Sequence, residues 1–242
     1  MKVAVRSDIG RVRTNNEDAF LADSGRGLFI VADGMGGIIG GEVASRLAVK
    51  AVPEYLRDHL GADAGTEDIR AALMGALVEA NRQIRERTDT QTELRGMGTT
   101  IVFALVRGDT AFLVHVGDSR AYLVRGDTIR QLTEDHSVVA QFARAGTITS
   151  EEARSHKLKH VLSQALGSSP SLAPGLLTMR LRHRDSIILC TDGVTDMVED
   201  VELASIVRTC GEDVERACEE IVARANEKGG RDNITVAILR ED

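Results

Sequence analysis

The sequence predicts an α+β fold, made mainly of antiparallel sheets with helices packed on the outside. Three observations predict it. Apolar, β-branched segments recur along the chain. Several are separated by links as short as RGDT and GDS, and three longer segments carry helical periodicity instead. Links that short favour antiparallel hairpins over βαβ crossovers.

The strand candidates are GLFIVAD (27–33), TTIVFALVRG (99–108), TAFLVHVGD (110–118), RAYLVRG (120–126), DSIILCTD (185–192) and NITVAIL (233–239). Each is a short apolar run bounded by Gly, Asp or Asn, the residues of turns. In GEVASRLAVKAVPEYLRDHL, Val43, Leu47, Ala51 and Leu56 recur at helical spacing, and Pro53 predicts a break or kink. TEDIRAALMGALVEANRQIRER has Thr66 as a cap, acids in its first turn, and one stripe of Ile69, Leu73, Ala76, Leu77, Ala80 and Ile84. EDVERACEEIVARANEKGG closes on glycines suited to a helix end. Thr149-x-x-Glu152 is a capping-box pattern and predicts a short helix. No repeat or linker interrupts this order, so one domain spans residues 1–242.

Composition narrows the function. Of 242 residues, 43% are hydrophobic and 3% aromatic, with no Trp, so the core is aliphatic. The net charge of −7 repels polyanions and argues against non-specific nucleic-acid binding. Cys190, Cys210 and Cys218 are odd in number and form no CxxC, as expected of reduced thiols in a cytoplasmic protein. The N-terminal MKVAVRSDIG turns polar too soon for a signal peptide, and no apolar run reaches the ~20 residues of a membrane span.

The stretch FIVADGMGGIIGGEVAS (29–45) poses the functional question. Its glycines match neither phosphate-loop template. A Rossmann fingerprint needs Gly where Ile39 stands, and a Walker A loop does not end Gly41-Glu42-Val43. What stands out is Asp33 at the lip of a strand. Asp192 follows another apolar strand and also precedes Gly. Asp118 lies between two strands, and Asp232 just before one. Any one of these aspartates is most simply a turn residue or a helix cap. Four at strand ends are harder to dismiss, because strand ends of packed sheets converge. Carboxylates that close cannot all ionise without a cation. Oxygen donors without Cys or clustered His select Mg²⁺ or Mn²⁺ over zinc. A water-activating two-metal centre is the sharp reading.

At this point the chain resembles a known family, the metal-dependent type 2C protein Ser/Thr phosphatases (PPM), in their compact bacterial form. The resemblance rests on SDIGRVRTNNED (7–18), VADGMGG with GEVAS (31–45), GTT (98–100), HVGDSRAYL (115–123), LTEDHS (132–137), ITSEEA (148–153), ALG (165–167), CTDGVTDMV (190–198) and RDNITV (231–236), in order over nearly the whole chain. It implies an antiparallel β-sandwich with helices on both faces, in α-β-β-α layers. It also implies residue roles. Asp33 bridges two metals, the carbonyl of Gly34 binds one, and Asp192 and Asp232 complete the other. Asp118 with Asp192 matches a third site. Glu17 and Asp18 hold waters around the metals, and Arg13 grips the substrate phosphate. Read alone, Arg13 is equally a solvated surface charge. Two positions depart from the family. Met35 stands where eukaryotic members carry His, as is usual in bacterial ones, and Ile38 stands where bacterial members carry His. Neither is a metal ligand, and both bear on protonation of the leaving group.

The residue types suit the reaction without the family. Phosphate-monoester hydrolysis is extremely slow uncatalysed. Two metals make a water nucleophilic at neutral pH, and a planar guanidinium pairs two phosphate oxygens. No nucleophilic Cys or Ser is needed, and Cys190 in its apolar strand reads as a buried structural thiol. His115 reads as a satisfied core residue and His136 as a loop hydrogen-bonder. Residues 138–157 read as surface helix and loop. In the family this region is a flap that helps choose substrates. The expectation is a monomeric, cytoplasmic phosphatase for phosphoserine and phosphothreonine, opposing a Ser/Thr kinase. Two alternatives use the same features: an inactive phosphoprotein-binding module, and a hydrolase of small phosphorylated metabolites.

Overall fold

A computed structural model describes residues 1–36, 40–169 and 171–241. The expectation for Ile38 lies outside the described residues. In chain order the elements are β1 (Lys2–Asp8), β2 (Asp18–Asp23), β3 (Leu28–Met35), α1 (Gly40–His59), α2 (Thr66–Thr90), β4 (Gly98–Thr99), β5 (Ile101–Arg107), β6 (Thr110–Val116), β7 (Arg120–Arg125), β8 (Thr128–Gln131), α3 (Val138–Arg144), α4 (Ser150–Ser155), β9 (Gly175–Arg180), β10 (Ser186–Cys190), α5 (Asp192–Thr195), α6 (Asp200–Cys210), α7 (Val214–Glu227) and β11 (Ile234–Arg240). One sheet runs β1-β11-β10-β7-β8 and the other β2-β3-β5-β6-β9, with β4 paired to β3. The strand pairs are antiparallel, as the short links predict.

The two sheets face each other. Phe29, Val31, Val102 and Leu113 of one meet Ala121, Ile187, Leu189 and Leu239 of the other in a dry, aliphatic layer. The opposite faces are covered by helices. Residues of α1 and α2 pack on the second sheet, and those of α6 and α7 on the first. The result is the α-β-β-α sandwich. The α2 stripe from Ile69 to Ile84 is buried along its length. On α1 the buried line is Ala44, Ala48, Ala51, Val52 and Leu56, while Val43 and Leu47 are only partly buried. Helix α1 runs through Pro53 without interruption.

Two local expectations are corrected. Thr66 is the first residue of α2, and Gly65 holds the cap position, its N–H donating to Asp68. Asp68 can serve from within the first turn, which removes the need for a side-chain cap. The GDS link after β6 is no hairpin. It carries the chain from one sheet to the other, because β6 and β7 belong to different sheets. Gly117 makes that turn with φ +104°, a conformation open chiefly to glycine. The capping box of α4 forms as read, Thr149 accepting from the Glu152 N–H and Glu152 from the Thr149 N–H. Cys190 is buried in β10, and burial pushes its thiol up to about 12.

Candidate metal centre

Five aspartates converge at one end of the sandwich. Asp18 and Asp33 are direct partners across β2 and β3, so their side chains share a face. Asp118 sits at the crossing between the sheets, Asp192 opens α5 directly after β10, and Asp232 lies two residues before β11. Their charges reach one another. Burial first, then repulsion from Asp192 and Asp232, pushes Asp18 up to about 7, against the lowering hydrogen bonds from Thr235 and Thr191. Burial followed by Asp18, Asp192, Asp118 and Asp232 raises Asp33 well above the carboxylate range. Burial and then Asp192 push Asp118 up to about 8. Two buried oxygens, Asp18 Oδ1 and Asp192 Oδ1, have no hydrogen-bond partner among the described residues. Buried acceptors are ordinarily satisfied, and hard oxygen donors with open lone pairs suit a divalent cation.

The scaffold around the cluster is hydrogen-bonded with care. Thr99 Oγ1 and the Thr100 N–H donate to the Asp33 carbonyl at 2.8 and 2.9 Å, and the Asp33 N–H donates to Thr100 Oγ1 at 3.0 Å. Thr100 also meets Ser119 at 2.6 Å, tying Asp33 to the Asp118 turn. The Thr191 and Thr235 hydroxyls donate to Asp18 Oδ2 at 3.0 and 2.6 Å. Gly34 lies so close to α1 that a Cβ would fall 2.1 Å from the Gly41 carbonyl oxygen. Asn233 clips down the loop before β2: its amide donates to the carbonyls of Ile9 and Asn15, and its Oδ1 accepts the Glu17 N–H. Burial raises the Glu17 carboxyl. Arg13 stands half-exposed at the rim, donating to Asp232 Oδ2 at 2.7 Å.

The structure thus brings together Arg13, Glu17, Asp18, Asp33, Gly34, Asp118, Asp192 and Asp232. Met35 is half-buried beside Gly98 on β4, a residue unable to exchange a proton. His115 and His136 are buried and stacked 4.9 Å apart. The His115 Nε2 lies 2.8 Å from the Glu134 carbonyl, and His136 Nδ1 accepts the Gly117 N–H at 3.3 Å. Burial takes His136 down to about 4, so the ring is neutral at physiological pH and braces the Asp118 turn.

Sequence reasoning missed several residues. Thr191, Asn233 and Thr235 lie in the motifs that carry Asp192 and Asp232, and that adjacency is their signal, whereas Thr100 lies in GTT, which carries no aspartate. His160 carries no such signal. It sits on the loop after α4, with Nδ1 3.8 Å from Asp192 and Nε2 3.8 Å from Asp196. Ligand atoms of His160, Asp192 and Asp196 lie within 4.8 Å of one another.

With this geometry in view, the Protein phosphatase 2C family profile matches residues 10–236. The chain belongs to that family. It is 36% identical over 245 residues to the serine/threonine phosphatase stp of Listeria welshimeri, covering 100% of this chain and 96% of that protein. It is 37% identical over 238 residues to the serine/threonine protein phosphatase PstP of Mycobacterium tuberculosis, covering 98% of this chain and 44% of that one. Among solved structures, a PstP catalytic domain in complex with two manganese ions superposes with a TM-score of 0.85 at 34% identity, covering 100% of this chain and 98% of that one. The oxygen donors read from the sequence, Asp33, Asp118, Asp192 and Asp232, lie where the carboxylates crowd in this structure.

Proposed function

We propose that Asp33, the main-chain carbonyl of Gly34, Asp192 and Asp232 hold two divalent ions, with Asp118 and Asp192 holding a third. The chain is a metal-dependent protein serine/threonine phosphatase, and the observation that carries the site reading is the group of mutually raised carboxyls with two orphaned oxygens. The ions, manganese or magnesium, supply Lewis acidity that makes a water nucleophilic at neutral pH. The chain's own residues do the rest. Arg13 binds and orients the phosphate. It spends one guanidinium contact on Asp232, and its other N–H groups remain for phosphate oxygens. Asp18, fixed by two threonine hydroxyls, presents its second oxygen to the site. Glu17, its carboxyl raised, stands beside Arg13 and orders solvent at the rim. Thr99 and Thr100 lock the Asp33 backbone so that its carboxylate does not move.

Residues 1–242 form one such catalytic domain. The protein acts as a cytoplasmic monomer in signalling, on proteins phosphorylated by a Ser/Thr kinase. No helix among the described residues is long and apolar enough to cross a membrane. The retained carboxylates favour an active enzyme over an inactive binding module. The test is hydrolysis of a phosphothreonine peptide and of an aryl phosphate. Chelation should abolish both, and Mn²⁺ or Mg²⁺ should restore them. Full turnover in metal-free protein would sink the reading.

A further inference from the structure

Asp118 lies on the crossing 117–119, which belongs to neither β6 nor β7. Strand pairing therefore does not set its position, and a metal ligand is tuned by what holds it. Both neighbours of Asp118 are clamped. Ser119 meets Thr100 at 2.6 Å, and Thr100 in turn accepts the Asp33 N–H. Gly117 is held twice by a single residue. Its N–H donates to His136 Nδ1 at 3.3 Å, and its carbonyl accepts the His136 N–H at 2.9 Å. A Cβ on Gly117 would fall 2.6 Å from Thr100 Cγ2, so the turn is walled by Thr100 and tied by His136.

His136 is itself firmly placed. It is 8% exposed, and its ring stacks on His115. His115 fits because residue 175 is glycine: a Cβ there would fall 2.0 Å from the His115 Cε1. The chain leading to His136 is pinned along its length. The Leu132 N–H donates to the Ala121 carbonyl at 2.8 Å, and Thr133 Oγ1 accepts the Ala121 N–H at 3.1 Å. Asp135 takes a fork of bonds from Arg120 at 2.7 to 3.1 Å. The His136 carbonyl accepts the Ser163 N–H at 2.8 Å. A main-chain N–H needs a bare ring nitrogen as its acceptor, so the imidazole proton belongs on Nε2.

We propose that His136 is a positioning residue for Asp118: through Gly117 it sets the main chain from which the Asp118 carboxylate reaches the ion shared with Asp192. The proposal rests on the phosphatase reading and deepens it. His136 touches neither substrate nor ion, and its influence is confined to one ion. Asp33 hangs from Thr99 and Thr100 instead, and Asp232 from Arg13 and the Asn233 N–H.

The test compares the full native chain with three variants. His136→Leu removes the acceptor. His136→Asn restores it, because the amide Oδ1 stands as far along the side chain as Nδ1. His136→Gln keeps an amide but carries it to the place of Nε2, and it stands in for His136→Leu if that protein does not fold. Calorimetric titration with Mn²⁺ reads each ion without any turnover. In His136→Leu and His136→Gln the weakest ion should bind about tenfold more weakly, a loss typical when the support of a ligand is removed, and the tighter ions should bind as before. The aryl phosphate kcat at limiting Mn²⁺ should fall by a similar factor with KM unchanged, and recover at high Mn²⁺. His136→Asn should bind Mn²⁺ as the native protein does. The double variant His136→Leu/Asp118→Asn should bind no more weakly than Asp118→Asn, because both changes remove the same ligand. Long-range ¹H–¹⁵N spectra of the native metal-free protein should place the His136 proton on Nε2.

Native Mn²⁺ affinity in both His136→Leu and His136→Gln overturns the proposal. So does a folded His136→Asn protein as weak as they are, or losses that add fully in the double variant. A proton on Nδ1 overturns it whatever the variants do. A native protein that binds two ions and no third also overturns it, with the phosphatase reading intact. A native protein that binds every ion yet hydrolyses no phosphate sinks the phosphatase reading and leaves the titrations to decide the role of His136.

Discussion

Two buried aspartates of this protein have opposite fates. Asp185, just before β10, is 1% exposed, yet its carboxyl lies below the ordinary range. Burial alone would raise it. Arg125 overcomes that, donating from Nε at 2.8 Å and from a terminal nitrogen at 2.5 Å, and the Arg182 N–H donates at 2.8 Å. Asp33 is enclosed by Asp18, Asp118, Asp192 and Asp232 and is raised well above the range. The residue type is the same and burial acts in the same direction. What differs is the neighbour: an arginine in one place, more carboxylates in the other. A carboxylate with its cation built in is structural. Carboxylates gathered without one mark a place where the cation comes from solution.

The sharpest way to break that comparison is to remove one charge from each region. Asp33→Asn should lower aryl phosphate turnover by roughly 10³-fold, the equivalent of a loss of about 4 kcal/mol of metal-assisted stabilisation. The same change should raise the melting temperature of metal-free protein, because it relieves repulsion. An Asp33→Asn protein that keeps its activity would show that the centre lies elsewhere.

A pH series tests the same contrast more gently. The native metal-free protein keeps protons on Asp18 and Asp118 to about 7 and about 8. The unfolded chain releases them near pH ~4. The folded state therefore binds more protons across that window, and stability falls as pH rises through it. Melting temperatures of EDTA-treated protein should decline from pH 5 to 8 and then level off. Saturating Mn²⁺ should flatten or invert the slope, since it binds the ionised carboxylates. Asp185 has the opposite sign. Its depressed carboxyl contributes stability above the unfolded value, lost as pH falls through the folded one. A metal-free curve that is flat from pH 5 to 8 would contradict the crowding.

Asp185→Asn then completes the pair. It leaves Arg125 with half its partner and should cost about 2 kcal/mol in urea unfolding, less than a fully buried pair because Arg125 is partly exposed. Aryl phosphate kinetics should not change. A loss of turnover equal to that of Asp33→Asn would mean that the two regions are coupled, and the contrast would fail.

The two regions also differ in how far the sequence reveals them. Asp33, Asp118, Asp192 and Asp232 are legible because each follows or precedes an apolar run and each neighbours Gly or Asn. The pairing of Asp18 with Asp33 is not. DAFLAD in β2 is short and half-exposed, so no apolar run announces a strand. GLLTMR in β9 escapes for the same reason, and β8 and β1 are edge strands with mixed faces. The α6 segment DVELASIVRTC is periodic over only three turns, too short a repeat to announce a helix. Asp185 and Arg125 lie 60 residues apart, and nothing in either segment names the other. His160 reaches Asp192 only through the path of the loop after α4. Local pattern shows what a strand end carries. It does not show which ends meet.

The smallest expected effect concerns Arg13, where the two regions resemble each other most. Arg13 pairs with Asp232 as Arg125 pairs with Asp185, but through one contact at 2.7 Å and at a half-exposed rim. A guanidinium so placed can leave its carboxylate for a phosphate. It pairs ground-state and transition-state phosphate alike, so its removal weakens binding more than chemistry. Arg13→Ala should therefore raise KM for an aryl phosphate about tenfold, the loss of one charge-assisted contact, with a smaller drop in kcat. Inorganic phosphate should inhibit the variant more weakly by a similar factor. The stability cost should be slight, because exposed pairs contribute little. If KM stays flat while kcat collapses, the pair with Asp232 orders the metal centre, and Arg13 belongs with Arg125 among the structural arginines.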